Sequence, residues 1–234
     1  MKIKNWILVT FGAAIILSSC GQSTMKNVKL TSDVDTLSYA LGADIGNSLK
    51  NINIEELNYD AFVNGINDRL EDKDIKMDEE RIKPFINEYI RKIQEGKAQK
   101  NLEEGQAFLE ENKKREEVMT TESGLQYKVI EEGTGESPEE TDIVRCHYHG
   151  TLIDGTVFES SVEKGDTAEF ALNRVMPGWT EGLQLMKEGA KYKFYIPTEL
   201  AYGQRVRQGG PVEPNMALIF EVELFEVKSP EENK

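Results

Sequence analysis

Histidine and cysteine are nearly absent from the 234 residues, with two of each. Two imidazoles without a third obvious ligand do not make a zinc site, although His147 and His149 fall on one strand face beside Arg145. Cationic residues are also scarce: 28 Lys plus Arg face 42 Asp plus Glu, a net charge of −14. That excludes a nucleic-acid binder working by phosphate neutralisation. No apolar run beyond the extreme N-terminus is long enough to span a bilayer, so a multi-span membrane protein is excluded. No Gly-x-Ser-x-Gly elbow surrounds Ser160-Ser161, which leaves nucleophilic hydrolysis without support. What is present is a 38% apolar, 30% charged chain with ordinary glycine and proline, enough for two packed domains.

The N-terminus reads as an address. Lys2 and Lys4 precede an apolar stretch from Trp6 to Leu17, and Ser18-Ser19-Cys20-Gly21 supplies a small-residue exit. The stretch is shorter than the ~20 residues of a spanning helix, and Leu17-Ser18-Ser19-Cys20 resembles the lipobox of bacterial lipoproteins. The resemblance implies a signal peptide over 1–19 and lipidation of Cys20, with residues 20–32 as a tether. More than one acyl chain then anchors the protein, because a single chain binds membranes only marginally. With Cys20 acylated, Cys146 has no partner for a disulfide.

Ser32 and Asp35 form a helix-start box ahead of Leu37, Leu41, Ile45 and Leu49, spaced by four. Tyr59, Phe62, Val63, Ile66 and Leu70 mark a second amphipathic helix. A third starts near Asp78, carries Ile82, Ile86, Tyr89 and Ile93, and runs toward Lys114. At ~1.5 Å per residue its roughly 35 residues would span about 50 Å. Pro84, Gly96 and Gly105 predict bends, and the polar stretch from Gln94 to Lys114 predicts a solvated spacer. The two shorter helices need a covering surface, either each other or a second copy of the chain.

From Gly124 the period becomes two. Leu125, Tyr127 and Val129; Val144, Cys146 and Tyr148; Tyr192, Phe194 and Ile196; and Leu218, Phe220, Val222 and Leu224 each line one strand face. Cys146 sits among apolar neighbours, as a core residue would. One short helix is expected from Gly178 to Lys187, closed by Gly189. The predicted fold class is α+β: a helical N-terminal domain over 33–118 ending in a long linking helix, then an antiparallel β-sheet wrapped around one short helix over 119–228, and a tail over 229–234.

Aromatic and aliphatic residues recur in ordered motifs through the second half: His147-Tyr148-x-Gly150, Asp154-Gly155-x-x-Phe158, Val175-Met176-x-Gly178-Trp179, Ala201-Tyr202-Gly203 and Phe220-x-Val222-x-Leu224. This series resembles the FKBP-type peptidyl-prolyl isomerases. Leu37-Ser38-Tyr39-Ala40-Leu41-Gly42 and Leu125-Gln126-Tyr127 resemble their Mip-type two-domain members, so the likeness covers about residues 33–228. It implies an isomerase pocket floored by Trp179 and walled by Tyr148, Phe158, Val175, Val212 and Phe220. In it Tyr202 donates a hydrogen bond at the rim, and the Met176 N–H grips a substrate or macrolide carbonyl.

Two positions depart from the family. Glu159 stands where Asp is usual after the pocket Phe, and Ala168 where a second aromatic is usual. The first leaves the carboxylate's bond to Tyr148 open; the second predicts a wider wall and weaker macrolide binding. The resemblance further implies a homodimer paired through its helices, held at the bacterial cell envelope by its lipid and facing the periplasm, on the outer membrane rather than the inner. Its clients are proline-containing unfolded or nascent exported proteins, and neither cofactor nor metal is needed. The competing reading is a chaperone that binds unfolded clients, with isomerisation secondary. Arg205 and Arg207, in the expected loop 204–215, are candidates for meeting acidic client segments.

Overall fold

The computed structural model describes residues 28–54, 56–206 and 209–229. The signal segment, Cys20, the first part of the tether, Arg207 and the tail beyond 229 lie outside the described residues. Among the described residues no helix is long and apolar enough to cross a membrane. The chain divides into one unit up to Ile45 and another from Gly46 onward.

Helix α1 covers Asp33–Asn51. Its start is the expected reciprocal box: Asp35 N–H donates to Ser32 Oγ at 3.2 Å, and Ser32 N–H donates to Asp35 Oδ2 at 2.9 Å. Asp therefore serves where Glu or Gln is commoner. Helix α2 covers Tyr59–Leu70, capped by Asn58, whose side chain accepts from Ala61 N–H. Neither helix buries a residue, and Leu37, Leu41, Tyr59 and Val63 are all more than half exposed. Helix α3, Glu79–Asn112, begins at the Asp78 cap and continues through Pro84, Gly96 and Gly105 for 34 residues.

The second half of α3 is exposed on most faces, as its polarity suggested, and packs along one. Phe108 and Leu109 pack with Val118, Tyr195 and Ile219 in a small core of their own. Asn112 donates to Gln126, which in turn donates to the carbonyl of Leu109. A Cβ built on Gly105 would stand 3.1 Å from that of Ala217, so this glycine allows close approach. The polar residues there are buried because they carry hydrogen bonds, which hydropathy patterning does not register.

The sheet comprises β1 (Met119–Thr120), β2 (Gln126–Glu131), β3 (Ile143–Leu152), β4 (Val157–Ser160), β5 (Ala168–Ala171), β6 (Lys191–Ile196) and β7 (Leu218–Lys228). Strands run in the order β1-β2-β6-β7-β3-β4, and β5 shares the edge of β3 with β4. All pairings are antiparallel. Burial alternates along the whole of β3, as the pattern Val144, Cys146, Tyr148 requires. In β6 the alternation fails at Tyr195, which α3 covers through Phe108, ring centroids 6.0 Å apart.

Helix α4 is a single turn, Ser161–Lys164. Helix α5, Pro177–Gln184, ends three residues short of the expected Lys187. A turn then leads to Gly189 at φ +81°. Trp179, Leu183 and Met186 join Leu125, Phe194, Phe220 and Val222 in the main core. Two glycines let α5 lie this close to the sheet: a Cβ at Gly178 would fall 2.6 Å from Ile196 Cγ2, and one at Gly182 2.7 Å from Phe194 Cε1.

Gly182→Ala is expected to lower unfolding stability in urea by about 1–3 kcal/mol, the usual range for overpacking. Gly96→Ala, with nothing within 4 Å of the new methyl, is expected to raise it by about 0.5–1 kcal/mol. Equal effects at the two sites would contradict the close packing of α5.

Candidate functional site

The α5 helix presents Trp179 to the ends of β3 and β7. Three rings stand nearly perpendicular to its indole: Tyr148 at 5.3 Å and 82°, Phe170 at 5.4 Å and 86°, Phe220 at 5.2 Å and 84°. Edge-to-face contacts of this kind are the favoured aromatic geometry. Together with Glu159, Arg174, Val175, Met176 and Tyr202 these rings line a cavity of about 240 Å³. Trp179 is 4% exposed, and its indole N–H is buried without an acceptor. Met176 caps α5 with its carbonyl, accepting from Trp179 and Thr180, while its own N–H makes no hydrogen bond among the described residues.

Seven of the nine residues singled out in the sequence meet here: Tyr148, Glu159, Val175, Met176, Trp179, Tyr202 and Phe220. Two do not line the cavity. Phe158 stands one ring back, edge-on to Phe220 at 5.4 Å and 88°, and borders a separate cleft with Glu159 and Lys164. Val212 packs against the main core but lines another cleft, of about 360 Å³, with Lys97 and Glu213. The close approach of Phe158 to Phe220 depends on a glycine. Gly150 leaves room for both rings, since a Cβ there would be 2.8 Å from Phe158 Cζ and from Phe220 Cε1.

At Ala168 the strand presents only a methyl group to the core. Two residues further along the same strand, Phe170 brings its ring to 5.8 Å from Tyr148 and 5.4 Å from Trp179. Phe170 lines the cavity and was not among the residues singled out in the sequence.

Tyr148 is fixed from two sides. On β3 the β5 pairing ends at Cys146 and the β4 pairing resumes at His149, leaving a gap in the ladder. The Ser161 hydroxyl fills it, accepting from Tyr148 N–H at 2.8 Å and donating to Tyr148 O at 3.2 Å. Its single proton is thereby used, so His147 Nδ1, 3.0 Å away, is the donor in that contact. His149 Nδ1 meets Ser160 Oγ at 3.1 Å. Both imidazoles are engaged with hydroxyls, and among the described residues no group of three metal-binding side chains forms.

Glu159 lines the cavity beside Tyr148. Burial first, then the hydrogen bond and charge of Glu159, push the Tyr148 phenol well above its ordinary value. Burial and Glu159 raise Tyr202 as well. Glu159 itself lies 3.3 Å from Lys164. Cys146 is fully buried, and desolvation pushes its thiol up to about 12. The site thus holds neutral phenols, aromatic walls and an unpaired backbone N–H, with no activated nucleophile.

An antiparallel sheet thus folds against one short helix, with an aromatic-lined cavity at their junction. Residues 134–225 match the family model described as FKBP-type peptidyl-prolyl cis-trans isomerase. Residues 34–129 match the domain amino-terminal to it. The chain is 39% identical over 235 residues to the outer membrane protein MIP of Legionella longbeachae, covering 97% of this chain and 99% of that one. It is 46% identical over 193 residues to the FKBP-type 22 kDa peptidyl-prolyl cis-trans isomerase of Escherichia coli, covering 81% and 93%. The crystal structure of FkpA from Escherichia coli superposes with a TM-score of 0.68 at 37% identity, covering 86% of this chain and 99% of that one. The chain belongs to the FKBP-type peptidyl-prolyl isomerase family, with the two-domain Mip-like architecture.

In a chain starting at Gly21, the Cys146 thiol is expected to resist a thiol reagent at pH 8 until the protein is unfolded; prompt labelling of folded protein would refute its burial. Because the phenols of Tyr148 and Tyr202 are raised in the folded state, their contribution to stability is complete below pH ~10 and lost above it. Activity is therefore expected to hold level up to about pH 10, which a pH–rate profile checks.

Proposed function

We propose that this isomerase accelerates Xaa-Pro rotation in exported proteins by seating the proline ring on Trp179 within the aromatic walls. The observation that carries the reading is the three-ring enclosure of Trp179 beside the unpaired Met176 N–H. An amide resists rotation by ~18–20 kcal/mol because of its partial double bond. Prolyl bonds therefore turn over in ~10–100 s unaided. At the twisted geometry conjugation is lost and the amide is less polar. A dry apolar cavity favours that state over the planar one.

Met176 N–H then takes a substrate carbonyl, and Tyr202, kept protonated by its surroundings, donates at the rim. A macrolide offering a proline-like ring and a carbonyl suits the same contacts.

The exposed stripes of α1 and α2 support pairing with a second copy. The division of labour then falls near residue 118, with helices pairing and the sheet domain catalysing. The lipobox-like N-terminus, and a relative named as an outer membrane protein, support an envelope location with Cys20 lipidated. The same apolar stripes favour a second reading, capture of unfolded clients by the helices as a chaperone does.

Exchange of an Ala-Leu-Pro-Phe peptide by the soluble chain from Gly21 is expected to be fast. A double Phe158→Ala, Tyr202→Phe variant should lose most of it, since one change removes the prop behind Phe220 and the other the rim donor. Undiminished exchange in the double variant would sink the pocket assignment. Leu41→Lys with Val63→Lys should convert a dimer to a monomer by light scattering while leaving peptide exchange unchanged. A persistent dimer would remove these helices from the interface. Suppressed aggregation of a proline-free client by the catalytically impaired double variant would favour the chaperone reading.

A further inference from the structure

We propose that the second half of α3 positions the proline pocket, with Lys97 and Asn101 as positioning residues that act through the loop carrying Tyr202. Tyr202 lines the cavity, and the chain after it returns to the body of the protein at Asn215. The two ends of that excursion are tied together: Asn215 N–H donates to Gly203 O at 2.9 Å, and Gly203 N–H donates to Thr198 O at 3.0 Å. Asn215 adopts φ +62°, a left-handed conformation that asparagine tolerates better than most residues.

That closure is gripped from α3. Asn101, 7% exposed, donates through Nδ2 to Pro214 O at 3.0 Å and lies 3.5 Å from Glu213 Oε2. Lys97 Nζ sits 2.6 Å from Glu213 Oε1 and 3.0 Å from Asn53 Oδ1. In return, Asn215 Nδ2 donates to the Ala98 carbonyl at 3.2 Å. Three consecutive loop residues, Glu213, Pro214 and Asn215, are therefore held by one turn of α3, and the close approach of Gly105 to Ala217 holds the helix beside them.

A buried asparagine in mid-helix is otherwise unfavourable, because its amide must be satisfied. Here its partner is the loop. The grip leads through Asn215 and Gly203 to the backbone adjoining Tyr202, so it fixes where the phenol stands before substrate arrives. Preorganisation of this kind is felt when the donor is used.

The inference rests on Tyr202 as the rim donor, and the test separates the two. In the full chain from Gly21, kcat/KM for the Ala-Leu-Pro-Phe peptide is measured for Asn101→Leu and Lys97→Met, each alone and combined with Tyr202→Phe. Asn101→Leu is expected to lower kcat/KM by about two- to tenfold, the range for losing one hydrogen bond's net contribution. Combined with Tyr202→Phe, it is expected to add less than about twofold, the signature of coupled residues.

Lys97→Met, at a half-exposed position that folding tolerates, should follow the same pattern with a smaller factor. Equal losses with and without Tyr202→Phe, or no loss in either single variant, would overturn the proposal. Unchanged activity in Tyr202→Phe alone would instead show that the rim reading has failed, and the inference falls with it.

Discussion

The distance between α5 and the sheet decides everything else in the catalytic half. Gly178 and Gly182 lie one turn apart on the same helix face, and neither position has room for a methyl group against Ile196 or Phe194. Only at this separation does Trp179 enter between Tyr148, Phe170 and Phe220. Burying an aromatic side chain of ~150–250 Å² at roughly 25 cal/mol per Å² contributes about 4–6 kcal/mol. Folding of the core and construction of the pocket floor are thus one event.

The chemistry follows from what this packing excludes. Phenols raised by burial line the cavity, while the protonated Cys146 thiol and the serine-bound imidazoles of His147 and His149 stand outside its lining. A reaction that only turns a bond requires no nucleophile. For the rotation we propose, the cavity needs shape, low polarity and two donors placed at its edge. The Ser161 hydroxyl bonds the backbone of Tyr148, and the Asn101 amide bonds Pro214 in the segment after Tyr202.

Much of this was legible in the chain. Period-two burial along β3, the capped start of α1 and the helical spacing of α2 and α3 follow from local patterns whose physics is short-range. Trp179, Tyr148 and Phe220 were visible through ordered motifs. The misses are non-local. Phe170 lines the cavity through contacts with Tyr148 and Trp179 that no ordered motif marked. Val212 faces a different cleft, and Phe158 stands behind the wall instead of in it. Asn101, Asn112 and Gln126 read as solvated polar residues, yet each is buried by a partner far away in sequence. Hydropathy records what a side chain avoids and is silent about which bond it will find.

Strand β7 is the last in sequence but lies at the middle of the sheet, between β6 and β3, and it pairs with all ten residues of β3. Until it arrives, β1-β2-β6 and β3-β4-β5 are two separate ribbons, and Phe220 is missing from the wall. The sheet therefore cannot close strand by strand from its N-terminal side. Its closure waits for residues near 228, and the long loop that β7 must close makes this pairing intrinsically slow. Neither ribbon alone carries the pocket, since Tyr148 and Phe170 sit on one and Phe220 on the strand that joins them.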